Sequence, residues 1–217
     1  MAEITVLAFI AALISLDITA FGQFMISRPA IVGPLFGYLM GDIKTGLVIG
    51  FIIELIWVSF IPMGAAIPTD VTTVAVLSSV WGLKYFSGHH GIIVLAMLLA
   101  IPAGMLYKQF DIIVRYFNVS VMRWVEEGVK NGDERRIEYG VHFSLLLFFF
   151  KSFVFYFLLI ATGKLLVHGM FLKLPGGVME GFDITWHVLP AFAMAVMLVS
   201  FLPGRLAFNR ERKENEK

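Results

Sequence analysis

An all-α, polytopic membrane protein is the fold this sequence predicts, and three observations carry that expectation. The 217 residues are 59% hydrophobic and only 15% charged, with a mean hydropathy of +0.84. A soluble domain of this length needs far more polar surface. Apolar stretches recur between short polar breaks, with room for about six or seven hydrophobic segments at roughly 20 residues per crossing. The third observation is where the charges fall. Arg28, Asp42, Lys44, Glu54 and Asp70 stand inside one apolar run from Arg28 to Asp70. Charge at membrane depth is costly and faces a protein interior or a water-filled path.

The elements follow in order. Ile4 to Phe24 is the first apolar segment, with Asp17 inside it. The N-terminus carries Glu3 in place of a basic region, so a first membrane helix is expected there, not a cleaved signal peptide. Pro29 to Met40 is too short to cross a core of about 30 Å at 1.5 Å per residue and is expected to be re-entrant. Ile43 to Ile61 carries Glu54 past its middle. Ala65 to Lys84 begins around Pro68 and Asp70, and Gly91 to Tyr107 is interrupted by Pro102. Gln109 to Glu138 mixes apolar residues with Arg115, Arg123, Glu126, Glu127 and Lys130, the pattern of an amphipathic helix lying at the cytoplasmic interface. Val141 to Thr162 and Ile184 to Pro203 complete the set. Residues 1–204 are thus expected to form one membrane domain, and 205–217 a charged, frayed cytoplasmic tail.

Lys and Arg concentrate in 108–138 and in the tail, which puts both on the cytoplasmic side and the segment Gly163 to Asp183 outside. The side of the N-terminus stays open. A net charge of +1 suggests no nucleic-acid partner. The absence of cysteine excludes thiol catalysis and thiolate metal sites.

Chemistry concentrates in the Arg28 to Asp70 run. Glycines at 33, 37 and 41 form one smooth helical stripe, suited to close helix packing. Gly41-Asp42-Ile43-Lys44-Thr45-Gly46 then reads as a turn between two half-segments. Its exposed backbone groups would serve a hydroxylated ligand. Glu54 is either a structural ion-pair partner of Arg28 or Lys44, or a hydrogen-bond acceptor for the hydroxyls of a sugar. Asp70, among flanking prolines, reads the same way. Gln23 and Asp17 are weaker members of this set, and Trp57 offers a stacking face or packs in core or lipid. Lys151 lies in the middle of an apolar segment, where it snorkels, pairs with an acid or meets a partner subunit. His89, His90, His142, His168 and His187 show no metal-ligand spacing, and no phosphate loop or nucleophile elbow is present. No cofactor, metal site or covalent catalysis is expected on this chain.

Leu16-Asp17, Gln23-Phe24, Arg28-Pro29, Gly33, Gly37, Gly41-Asp42, Lys44-Thr45-Gly46, Gly50, Glu54 and Gly64-Ala65-Ala66 followed by Asp70 resemble enzyme IIC of the mannose/fructose/sorbose phosphotransferase system. The resemblance is clear over roughly 12–85 and fainter beyond. It implies a sugar-translocating subunit of the bacterial cytoplasmic (inner) membrane, working in an oligomer with a IID membrane subunit and soluble IIA and IIB phosphocarriers. By the same resemblance Gln23, Glu54 and Asp70 are sugar contacts, while Asp17, Arg28, Asp42 and Lys44 shape the site. The family pattern continues past Phe201 with apolar segments that echo the first as an inverted repeat, where this sequence turns charged. Two expectations therefore stand: a sugar permease subunit, or a non-transporting regulatory or assembly subunit derived from one.

Overall fold

The computed structural model describes residues 1–19, 22–58, 69–86 and 88–215, and all regular structure among them is helical. The order is α1 (Ala2–Thr19), α2 (Pro29–Leu39), α3 (Ile43–Trp57), α4 (Val71–Lys84), α5 (Gly91–Lys130), α6 (Arg135–Gly163), a π-helical turn (Lys164–His168), the short α7 (Gly169–Phe171) and α8 (Gly176–Asn215). Among the described residues, three stretches are long and apolar enough to cross a membrane: Gly91–Lys130, Arg135–Phe171 and Gly176–Phe201.

The expected short segment is α2, which pairs with α3 as a helical hairpin. At 11 and 15 residues the two arms span only about 16 and 22 Å, less than a bilayer core of about 30 Å. Pro29 opens α2 at its first position, where the missing N–H costs nothing. Gly41, at φ 87°, makes the reversal, and Asp42 caps α3 by accepting from Thr45 N at 3.0 Å and Thr45 Oγ1 at 2.5 Å. The glycine stripe does what its spacing predicts. A Cβ on Gly33 would lie 2.4 Å from the Gly46 carbonyl oxygen and 2.6 Å from Gly50 Cα. One on Gly50 would meet the Pro29 carbonyl oxygen at 2.3 Å.

Around this hairpin, α4 is the central helix. All its residues from Thr72 to Gly82 are buried. It packs on α5, α2, α3 and α6, while α1 packs on α6. Val74, Leu77, Val80, Trp81, Ile92, Ile93 and Tyr156 fill the core. Glu3 pairs with Lys84 at 2.9 Å, and Asp183 accepts from Gly91 N at 2.6 Å. The start of α1, the α4–α5 connection and the start of α8 therefore share one end of the molecule. By the lysine and arginine bias this is the end opposite the basic 108–138 region.

One expectation is corrected. Residues 109–130 do not form a separate interfacial helix but continue α5, which runs 40 residues through Pro102. No glycine or proline falls between 105 and 127, and Asp111 binds Arg115 at helical i,i+4 spacing, so nothing ends the helix before the turn at 131–134. The outer segment 163–183 is mostly helical too, with only residues 172–175 separating α7 from α8. The backbone of α8 continues to Asn215, through most of the expected tail. Pro62, Gly64, Ala65, Ala66 and Pro68 lie outside the described residues.

Replacing Gly33, Gly46 or Gly50 with alanine sets a methyl against backbone that has nowhere to go. We expect each to destabilise by about 1–3 kcal/mol and to lower the midpoint of thermal unfolding in detergent. Gly176→Ala, where a Cβ meets nothing within 4 Å, should leave the midpoint unchanged.

Candidate functional site

Where α2 starts and α3 ends, the hairpin register places Arg28 beside Glu54. Arg28 Nη1 donates to Glu54 Oε1 at 2.9 Å, and Ala30 N reaches Glu54 Oε2 at 3.4 Å. The ion-pair alternative for Glu54 is thus realised, with Arg28 and not Lys44 as partner. The pair is not sealed in dry packing. It forms the wall of an open cleft of about 520 Å³ that Asp17, Gln23, Ser27, Trp57 and Thr72 also line. Arg28 keeps 52% of its side chain exposed against 16% for Glu54.

Asp17 organises the other wall. Its side chain is buried, and its Oδ1 accepts from Phe24 N at 2.8 Å while Oδ2 accepts from Ser27 N and Ser27 Oγ, both at 3.2 Å. These bonds hold the segment from Gly22 to Arg28 in an uncommon shape: Gly22, Gln23 and Met25 have φ of 83°, 51° and 64°. Left-handed backbone at a non-glycine residue costs about 1–3 kcal/mol and persists only where surroundings enforce it. Here the enforced shape brings Gln23 to the cleft.

Asp70 lies elsewhere. It caps α4, with Oδ2 accepting from Thr73 N at 2.9 Å and Thr73 Oγ1 at 2.6 Å, and it lines a separate, much smaller cavity with Asp111 and Lys151. Thr73 Oγ1 is also 2.9 Å from the Tyr156 hydroxyl, which is 2.9 Å from Ser15 Oγ. One buried chain of hydroxyls therefore ties α4, α6 and α1 together. Asp42 and Lys44 do not line the cleft. Both are exposed at the start of α3, and part of the turn's backbone is bonded internally, with Asp42 N bonding the Gly37 carbonyl and Gly46 N the Asp42 carbonyl.

Sequence reasoning missed Ser27, Thr72 and Asp111. Asp111 was legible in principle, since Lys108, Asp111 and Arg115 recur at i,i+3 and i,i+4 on one helix face. Lys151 Nζ binds Asp111 Oδ1 at 2.9 Å, which answers the question its mid-segment position raised. Among the described residues no group of His, Asp and Glu could hold a metal ion.

Residues 1–207 match the family model described as "PTS system sorbose-specific iic component". The chain belongs to this IIC family of the phosphotransferase system. The mannose-specific EIIC component of Escherichia coli (strain K12) is 27% identical over 203 residues, covering 93% of this IIC chain and 74% of that protein. The sorbose-specific EIIC component of Klebsiella pneumoniae is 26% identical over 148 residues, or 66% of this chain and 54% of that one. Two solved structures share the fold at 24% identity. One, described only as a membrane protein, has a TM-score of 0.71 and covers 93% of this chain and 80% of its own. The other, the mannose transporter ManYZ in complex with microcin E492, has a TM-score of 0.62 over 93% and 78%. This IIC chain is accordingly a multi-pass membrane protein and a sugar permease subunit of the mannose/sorbose type.

Tyr156→Phe would remove the hydroxyl that bridges Ser15 and Thr73, leaving Ser15 only its bond to the Ala11 carbonyl and Thr73 only its bond to Asp70. We expect a loss of about 1–3 kcal/mol, visible as a lower unfolding midpoint in detergent. Thr162→Ala, which removes only bonds to carbonyls of its own helix, is the control.

Proposed function

We propose that this IIC subunit binds a hexose or related sugar in the cleft at the open end of the α2–α3 hairpin. The sugar is then moved across the bacterial cytoplasmic membrane for phosphorylation by partner subunits. The observation that supports this most directly is the pairing of a carboxylate and an amide, Glu54 and Gln23, on the wall of one 520 Å³ cleft with Trp57 beside them. The volume falls in the usual range for small-molecule sites, about 300–1,000 Å³. Carboxylates and amides take paired hydroxyls, and Trp57 gives the apolar face of a pyranose ring something to cover. Arg28 neutralises Glu54 when no sugar is bound and, being half exposed, can turn to water when sugar hydroxyls take its place on the carboxylate.

The same reading assigns the partners. A membrane subunit of the IID type completes the transporter as an oligomer in the lipid, and soluble IIA and IIB proteins carry the phosphoryl group. The chain's part is recognition and movement. Mannose and sorbose, named in the relatives, are the sugars to try first.

Uptake of these labelled sugars, in cells expressing the chain with IIA, IIB and IID partners, tests the proposal. Glu54→Gln should reduce uptake at least tenfold. The variant should still co-purify with the IID subunit. Uptake that survives the change rejects the site. A wild-type chain that assembles but carries none of the sugars selects the regulatory or assembly alternative.

A further inference from the structure

The cleft holds Glu54 and Gln23 but not Asp70. Behind its Thr72 wall lies the small cavity of about 20 Å³, lined by Asp70, Asp111, Lys151, Tyr107, Ser152 and Thr72 itself. Thr72 is common to both, and its Oγ1 donates to the Ser27 carbonyl across the gap at 2.9 Å. Water-sized space of roughly 10–15 Å³ or more accommodates one water, and therefore one group of that size. The lining is polar and paired for a single occupant. Among the described residues Asp70 uses only Oδ2, for Thr73, which leaves Oδ1 to accept. The Lys151 ammonium spends one N–H on Asp111 and lies 4.3 Å over the Tyr107 ring, which leaves N–H donors to give. Lys151 and Asp111 are 6% and 4% exposed, so this is a built, buried set.

We propose that this cavity is a second subsite, taking one hydroxyl of the carbohydrate seated in the cleft, and that the Thr72–Ser27 bond is its door. The hydroxyl donates to Asp70 and accepts from Lys151. With the door shut, as in this structure, the two carboxylates face different spaces. With it open, Glu54 and Asp70 act on the same ring from two sides. A donor and an acceptor in a space for one hydroxyl select the direction of that hydroxyl, because the wrong epimer leaves both buried groups unpaired. The inference rests on the sugar-binding reading of the cleft and adds Lys151, Tyr107 and Thr72 to it.

The absence of cysteine makes the door directly testable. Single Val58→Cys (cleft) and Ser152→Cys (inner cavity) variants, in membrane vesicles with the IID partner, are labelled with a small polar methanethiosulfonate. Val58→Cys should label quickly whatever stands at 72. Ser152→Cys should label slowly, and at least tenfold faster once Thr72→Val removes the bond to Ser27. Mannose should protect both positions. Should Ser152→Cys not assemble, Ser15→Cys, on the same cavity, replaces it. An inner-cavity thiol whose labelling ignores Thr72→Val overturns the door. Mannose that protects position 58 but not the inner thiol overturns the subsite. Mannose that protects neither overturns the sugar reading of the cleft, and the subsite with it.

Discussion

The close approach of two helices through glycine fixes the rest of this structure. Gly33 and Gly37 on α2 meet Gly46 and Gly50 on α3 with no room for a methyl on either side. Backbones that close cannot slide, because each turn of one helix fits between carbonyls of the other. That register decides that the last turns of α3 stand beside the first residues of α2, and so that Glu54 faces Arg28 and Ala30. A carboxylate in this setting needs a fixed cation and a donor. The hairpin delivers both, and the cleft forms where its arms part. The binding chemistry is thus a product of packing between residues that have no side chains.

Elsewhere several acids are held by close partners. Asp17 takes three donors from one loop, Asp42 and Asp70 each cap a helix with a threonine three residues on, and Asp111 takes Lys151 and Arg115. Removing one partner of such a set is expensive in a medium of low dielectric, so these clusters are rigid. Arg28 is the exception, a half-exposed partner to a mostly buried acid. The contrast separates acids held by several fixed donors from an acid whose cation stands half in the open.

Much of this was legible from the chain. The glycine spacing gave the hairpin, the Gly41-Asp42 turn gave the reversal, and acids in apolar sequence marked Asp17, Glu54 and Asp70 as compensated groups. Local spacing could not tell which compensation each one found. Asp42, read as part of a turn, and Asp70, read as a ligand group, each cap a helix through a threonine at the third position, Asp70 with Oδ2 alone. The Asp111–Lys151 pair joins residues 40 apart in sequence, and the Tyr156 hydroxyl reaches Ser15 across 141. Such contacts follow from tertiary packing and leave no periodic trace. The long α5 was obscured by Pro102, read as a break, and by a change from apolar to mixed composition at its middle. Neither ends a helix whose neighbours supply the missing bonds.

That helix has a mechanical consequence. At 1.5 Å per residue, 40 residues make a rod of about 60 Å, roughly twice the thickness of a hydrocarbon core. Its Gly91 end is clamped by Asp183, and its Lys130 end carries exposed side chains on nearly every side. A tilt of about 5° at the clamp swings the far end by about 5 Å over that length. Small rearrangements near the α4–α5 connection are therefore magnified into displacements large enough for another protein to feel, with α5 as the lever arm.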